Sequence, residues 1–147
     1  MSTEPSMGLL TALLPTASIT SAGSTVISKR FTFDAAHQLP EVPEDHKCRR
    51  VHGHTYQVWV HVAGPVSARF GWIADFGDIK TAFQPLDEAL DHRFLNDIPG
   101  LQNPTAEVLA AWIYGRMAST QLGSGYVVAV EVAETPDSRS LYLAPTK

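Results

Sequence analysis

Apolar residues recur along this chain with two different periods. In four segments every second residue is apolar, which is typical of β-strands with one buried face. In two others the apolar residues step by three and four, which indicates helices with one apolar stripe. The strands are predicted over residues 26–36, 52–63, 126–134 and 140–144, and the helices over residues 76–90 and from residue 103 onward. The predicted order of elements is therefore β-β-α-α-β-β.

Both predicted helices begin with residues that favour a helix start. Asp75 can accept a hydrogen bond from the free backbone N–H groups of the first helix, and Asn103 can do the same for the second. Pro104 is tolerated in a first turn, and Glu107 favours the positive end of the helix dipole. Pro85 lies within the first apolar stripe, where a missing backbone donor favours a kink.

Two helices on one face of an antiparallel sheet make an α+β domain. We expect a single domain over residues 26–147, without internal repeats, and a flexible tail over residues 1–25, which are rich in serine, threonine, alanine and glycine. The opposite face of the sheet also carries apolar side chains such as Trp59. Association with further subunits would bury them, so a homo-oligomer is expected.

Composition limits the classes of protein that the chain can belong to. Its 147 residues are 44% hydrophobic with a formal net charge of −4, and the pI of about 5.8 disfavours a nucleic-acid binder. No apolar run approaches the roughly 20 residues of a membrane span. A single cysteine cannot form an internal disulfide, which favours a reducing cytoplasm.

Three histidines indicate a metal site. His52 and His54 lie two apart on a predicted strand and so share one face, while His37 continues the alternation of the neighbouring strand on its apolar side. Three neutral imidazoles leave the fourth position of a tetrahedral zinc ion open, as in catalytic sites. A single histidine is usually structural, but three in these positions predict a metal centre, with Zn²⁺ the first choice among divalent ions.

Cys48 is flanked by three cations. Lys47, Arg49 and Arg50 favour the thiolate over the thiol and would make Cys48 a better base or nucleophile. The same cluster could attract a polyanionic substrate such as a phosphate ester. The competing interpretations are a small buried side chain for Cys48 and a solvated basic loop for its neighbours.

Two carboxylates complete the candidate chemistry. Asp91 can fix the tautomer of His92 and support its cationic form, as in a relay with a thiol, although a polar helix end explains the pair equally well. Glu134 continues the alternation of an apolar strand, where burial without donors is costly. A guanidine-like edge of a heterocycle would supply two donors to it. The alternative is that the strand has already reached solvent at Glu134.

The order of these motifs is specific. The chain carries FDAAH at residues 33–37, CRRVHGH at 48–54, GWIADF at 71–76, LDH at 90–92, PTAE at 104–107 and ET at 134–135. From about Lys29 to Tyr142 it resembles the 6-pyruvoyl-tetrahydropterin synthase family. The short spacing from Cys48 to His52 looks most like the bacterial branch of that family, which makes a carboxy-pterin for queuosine biosynthesis.

The resemblance implies a fold, an assembly and a set of roles. The family has the tunnelling fold, in which β-β-α-α-β-β units form trimeric barrels that pair face to face, so that active sites lie between subunits. Whether the thiol and its relay partners meet across chains stays open. The roles implied are zinc ligands for His37, His52 and His54, the catalytic thiol for Cys48, relay partners for Asp91 and His92, and the pterin anchor for Glu134.

The implied reaction converts 7,8-dihydroneopterin triphosphate to 6-carboxy-5,6,7,8-tetrahydropterin and releases acetaldehyde and triphosphate. Lys47, Arg49 and Arg50 are candidates to bind the triphosphate, a role that the resemblance does not assign. Three alternatives remain: triphosphate elimination of the 6-pyruvoyl type, a zinc-containing pterin-binding module without turnover, and an unrelated three-histidine zinc hydratase. The spacing from the thiol to the histidines disfavours the first, and the combination of thiol and relay pair disfavours the second.

Overall fold

The computed structural model describes residues 24–146. Their strands and helices are β1 (Thr25–His37), β2 (His52–Gly64), α1 (Phe76–Leu90), β3 (Arg93–Phe94), α2 (Ala106–Met117), β4 (Tyr126–Thr135) and β5 (Ser138–Leu143). Short 3₁₀ turns lie at Lys47–Arg49 and Leu95–Asp97. The predicted α+β class is confirmed. The predicted tail lies outside the described residues except for its last two positions, of which Thr25 begins β1.

The strands form one sheet in the order β3-β1-β2-β4-β5. The β1–β2, β2–β4 and β4–β5 pairs are antiparallel, as predicted. The β1–β3 pair is parallel and was not predicted, because two residues are too short to show a period. In the β1–β2 register His37 lies opposite His52 and Ala35 opposite His54, so the histidine motifs meet at one end of the sheet.

The core lies between the sheet and the two helices. Strand alternation turns side chains such as Phe33 and Tyr56 toward the helices, where they stack with ring centroids 5.0 Å apart. The apolar stripe predicted over residues 76–90 is not buried at its first residue, since Phe76 is 51% exposed at the first position of the helix. The residues that α1 does bury are Ile79, Phe83, Leu86 and Leu90.

The helix starts agree with the prediction for α1 and differ for α2. The Asp75 side chain accepts from the Gly77 N–H at 2.7 Å, and α1 continues through Pro85. The cap of α2 is Thr105, whose hydroxyl accepts from the Val108 N–H at 3.2 Å, so the prediction of Asn103 was wrong. The helix begins two residues later than Asn103 would allow.

The sheet face opposite the helices is less apolar than predicted. Trp59 is half-buried there, with the Arg30 guanidinium 5.6 Å from its ring. Four residues that we call the cross-sheet polar row also lie on this face: Ser28, His61, Glu131 and Arg139. Within residues 24–146 no helix is long and apolar enough to span a membrane.

Candidate active site

The three predicted metal ligands meet at the end of β1 and β2. One ring nitrogen of each of His37, His52 and His54 lies within 4.8 Å of the others. Gly53 between the two β2 histidines lets β1 approach closely, since a Cβ at this position would lie 3.2 Å from the Ala35 carbonyl oxygen. Strand alternation and register thus bring together what the sequence spacing indicated.

The hydrogen bonds of two of these rings determine their tautomers. His37 Nδ1 donates to the Pro104 carbonyl oxygen at 2.8 Å, and His52 Nδ1 donates to that of Arg50 at 2.7 Å. Because a carbonyl oxygen can only accept, both Nδ1 atoms carry the proton, and in the neutral rings both Nε2 atoms hold bare lone pairs. These two Nε2 atoms are 3.0 Å apart. Two lone pairs at this distance repel each other unless a proton or a metal cation lies between them.

The third ring supports the same interpretation. His54 Nε2 is buried and has no hydrogen-bond partner among the described residues. Burial holds the pKa of His37 and that of His54 below the ordinary range, against the opposing charge of Glu134, so both rings are neutral at neutral pH. Neutral imidazoles are the form that binds metal, and carbonyl bonds to the distal nitrogens are typical of metal ligands. The donor set therefore fits a divalent ion such as zinc.

Glu134 lies beside the three histidines. It occupies an irregularity in the β4–β5 pairing, between Ala133 and Thr135. Its Oε1 is 4.0 Å from His37 Nε2, and its Oε2 is 3.9 Å from His54 Nε2. The Glu134 side chain is 27% exposed, so it faces both the histidines and solvent.

Two open depressions border Glu134. One, of about 360 Å³, is also lined by His54 and Thr55, and the other, of about 330 Å³, by Thr105 and Glu107. Thr105 and Glu107 were expected only at the start of a helix, without a role in the site. Only the folded arrangement brings the start of α2 next to the end of β4.

Tyr56 is a further side chain of this site, and no sequence motif pointed to it. It is fully buried, its ring lies 5.5 Å from that of His54, and its hydroxyl has no partner among the described residues. Burial and the charge of Glu134 raise the pKa of Tyr56 far above its usual value. Alternation from His54 places Tyr56 on the same face, but only the structure shows its hydroxyl to be unpaired.

The thiol of Cys48 lies on a short turn attached to β1. Cys48 is half-buried in the Lys47–Arg49 turn, and its carbonyl oxygen accepts from the Leu39 N–H at 2.8 Å. Of the three neighbouring cations, Arg49 is hydrogen-bonded to the backbone, since its Nη1 donates to two carbonyl oxygens of the same loop. Lys47 and Arg50 are exposed.

Asp91 and His92 form a hydrogen-bonded pair at the β3 edge of β1. His92 Nδ1 donates to Asp91 Oδ2 at 2.8 Å, and Asp91 Oδ1 accepts from the Asp34 N–H at 3.0 Å. The Asp34 N–H and then His92 lower the pKa of Asp91, and the bond to Asp91 raises the pKa of His92. His92 has φ of 57°, a left-handed conformation that its N–H bond to the Asp34 carbonyl helps to hold.

Within the described part of the chain, the Asp91–His92 pair is hydrogen-bonded to Asp34 of β1 and not to Cys48. Asp34, which holds the pair, directs its side chain to Thr55 on the face opposite the helices. His37 is three residues further along β1 and so lies on the other face. Among residues 24–146 no hydrogen bond or ion pair joins Cys48 to Asp91 or His92.

Fold and site together define an α+β protein with a candidate three-histidine metal centre at one end of its sheet. Residues 26–144 match the family described as 6-pyruvoyl tetrahydropterin synthase, and the chain belongs to that family. The resemblance predicted from the motifs is thereby confirmed.

The relatives include both branches of the family by name. The chain is 40% identical over 125 residues to 6-carboxy-5,6,7,8-tetrahydropterin synthase of Synechocystis. The aligned region covers 82% of this chain and 94% of that protein. It is 33% identical to the protein of the same name from Bacillus subtilis, over 79% of this chain and 83% of the relative. The structure of 6-pyruvoyl tetrahydropterin synthase from Caenorhabditis elegans has the same fold, with a TM-score of 0.75 at 24% identity over 83% and 96% of the two chains.

Proposed function

We propose that this chain is a zinc-dependent lyase that converts 7,8-dihydroneopterin triphosphate to 6-carboxy-5,6,7,8-tetrahydropterin, releasing acetaldehyde and triphosphate, in the queuosine pathway. The observation that carries the proposal is the Glu134 carboxylate, which lies about 4 Å from two of three convergent histidines and borders open depressions. The names of the relatives from Synechocystis and Bacillus subtilis support the carboxy product.

Glu134 anchors the pterin. Its two oxygens match the two parallel N–H donors on the amino-pyrimidine edge of a pterin, as in a bidentate pair. Volumes of about 360 and 330 Å³ lie in the range of small-molecule sites. Because the carboxylate lies beside the histidines, a pterin held by it extends its side chain toward the metal ligands.

His37, His52 and His54 hold the zinc ion. When bound, zinc supplies a Lewis acid that polarises the side-chain hydroxyls of the substrate. The Pro104 and Arg50 carbonyls keep His37 and His52 in the tautomer whose Nε2 can bind metal.

Cys48 and the Asp91–His92 pair move the protons of the reaction. No hydrogen bond or ion pair joins them among the described residues, which fits a site completed by a second copy, in a trimer-based homo-oligomer in which Cys48 of one chain meets Asp91 and His92 of another. The exposed Lys47 and Arg50 favour binding of the triphosphate, and a free thiol fits the reducing cytoplasm.

Product analysis tests this proposal. Metal-loaded protein incubated with 7,8-dihydroneopterin triphosphate should release acetaldehyde and the 6-carboxy product. The 6-pyruvoyl alternative would eliminate triphosphate without acetaldehyde, and that result would contradict the proposed product.

The Cys48→Ala variant tests the role of the thiol. Removal of an acid–base group costs about 10²–10⁴-fold in rate, so turnover should fall by that factor while the metal content stays equal to that of the wild type. The matched metal measurement separates loss of the thiol from loss of the ion. Full activity in Cys48→Ala would rule out the proposed role.

A further inference from the structure

The peptide groups on both sides of Cys48 are held by hydrogen bonds from its own loop. On one side His46 Nδ1 accepts from the Cys48 N–H at 3.1 Å. On the other side the Cys48 carbonyl oxygen accepts from the Leu39 N–H at 2.8 Å. Leu39 follows the candidate ligand His37 by two residues, so this second bond ties the thiol turn to the end of β1. The first bond depends on a side chain, which makes it open to mutation.

His46 caps the turn in the manner of a helix N-cap. Its backbone is extended, its side chain accepts from the residue two positions on, and its carbonyl oxygen accepts from the Arg49 N–H at 3.0 Å. N-cap side chains are worth about 1 kcal/mol in helices, since they satisfy backbone donors that would otherwise lack a partner. The imidazole of His46 is therefore a local determinant of where the Cys48 backbone lies.

Arg49 closes the same loop. Its Nη1 donates to the Pro40 carbonyl oxygen at 2.8 Å and to that of Val42 at 2.7 Å. A guanidinium engaged with two carbonyls inside the loop has fewer donors left for an anion. All three cations are exposed, but the side chains of Lys47 and Arg50 make no hydrogen bond or ion pair among the described residues.

We propose that His46 and Arg49 are positioning residues for Cys48. His46 caps the turn that carries the thiol, and Arg49 braces this turn across the loop rather than binding the triphosphate. The inference rests on the proposed function only for the role of Cys48 in turnover. The hydrogen bonds on which it is based are independent of that function. The test therefore measures the reactivity of the thiol itself.

The rate of alkylation of Cys48 by iodoacetamide, in the metal-loaded full chain, measures how firmly the turn is held. Cys48 is the only cysteine among the 147 residues, so the reagent reports on one position. Cys48 is half-buried, and loosening the turn exposes it. His46→Ala should raise the rate about fivefold, the factor that corresponds to the loss of one cap.

Two matched variants show whether the capping bond is the cause. His46→Asn retains an acceptor that reaches the N–H two residues on, so it should restore the wild-type rate. Asp45→Asn changes the adjacent exposed residue, which makes no such bond, and should leave the rate unchanged. An unchanged rate in His46→Ala, or a rate in His46→Asn as high as in His46→Ala, overturns the role of His46.

Arg49→Ala separates bracing from substrate binding. We expect faster alkylation and a lower kcat, with the KM for 7,8-dihydroneopterin triphosphate within about twofold of the wild type. A charge-assisted bond to the triphosphate would instead raise KM about tenfold or more on removal. A raised KM with unchanged alkylation overturns the role of Arg49. If no variant and no wild type turns the substrate over, the proposed function fails while the alkylation rates still decide the inference.

Discussion

Each face of the sheet has a buried histidine nitrogen beside a carboxylate, yet only one face forms a candidate metal centre. On the face toward the helices, His54 Nε2 lies 3.9 Å from Glu134 Oε2. On the opposite face, His61 Nε2 lies 3.9 Å from Glu131 Oε2. The two pairs have nearly the same separation, and each includes a buried Nε2 without a hydrogen-bond partner among the described residues.

The difference lies in what surrounds each pair. In the cross-sheet polar row a single imidazole contacts Ser28 at 2.6 Å, and Glu131 already accepts from Arg139 at 2.7 Å. At the candidate metal centre, backbone carbonyls hold the protons of His37 and His52 on Nδ1 and direct two lone pairs toward each other at 3.0 Å. Burial and a nearby carboxylate are thus common to both regions. What distinguishes the candidate metal centre is that ring nitrogens of three histidines lie within 4.8 Å of one another.

The largest expected effect is on zinc affinity, and it separates a histidine of the candidate metal centre from a histidine of the cross-sheet polar row. His52→Ala should lower the affinity for zinc at least about 100-fold, more than the 10–100-fold typical of changes outside the ligand sphere. His61→Asn should leave zinc binding unchanged, because His61 lies on the other face. Metal content after dialysis measures both. Loss of zinc from His61→Asn, or full retention in His52→Ala, would break the distinction between the two regions.

Acid should affect the polar row in a defined pH window. Burial lowers the pKa of His61 to about 4. As pH falls from the ordinary value near 6.5, the unfolded chain takes up this proton first, so the free energy of unfolding falls by up to about 3 kcal/mol by pH 4. Above pH 6.5 this histidine has no such effect. Urea unfolding at pH 7 and pH 4.5 should show a smaller loss in His61→Asn than in the wild type, and equal losses would contradict the assignment.

The smallest expected effect on stability comes from the exposed Asp91–His92 pair, and its dependence on pH has the opposite sign to that of His61. Its bond at 2.8 Å raises the pKa of His92, whereas burial lowers that of His61. The stabilisation from this pair is thus fully present below the ordinary histidine pKa and is lost as pH rises through the raised one. Asp91→Asn should bring the His92 pKa back toward 6.5 in an NMR titration. Asp34→Asn should lower it less, because Asp34 acts only through its charge, and a larger change in Asp34→Asn would refute this order.

Much of the fold could be predicted because long strands and helices repeat their apolar pattern regularly over many residues. The stripe from Ile79 to Leu90 and the alternation along β1 and β2 determine which faces are buried. The prediction failed where the deciding interaction is local and brief. The two residues of β3 are too short to show a period, and Thr105 rather than Asn103 turned out to cap α2.

The site could be predicted in part for the same reason. Residues two apart on one strand share a face, so His52 and His54 had to point together, and the β1–β2 register added His37. The hydrogen bonds that hold Asp91 and His92 against Asp34 could not be predicted, because they depend on how β3 joins the edge of β1. The structural contacts of His46 and Arg49 were equally hidden, since a basic loop has the same sequence whether its side chains bind solvent, substrate or backbone. The roles assigned to these site residues stay predictions.

The bond from His37 to the Pro104 carbonyl has a further consequence. It joins residues 67 positions apart, and Pro104 directly precedes the cap of α2. An ion bound by His37 is therefore linked to the start of a helix as well as to two strands. A ligand that binds only the folded chain stabilises it by about 2.7 kcal/mol when its free concentration is 100 times its Kd. The supply of metal in the cell would then govern how much folded protein persists, as well as how much of it is active.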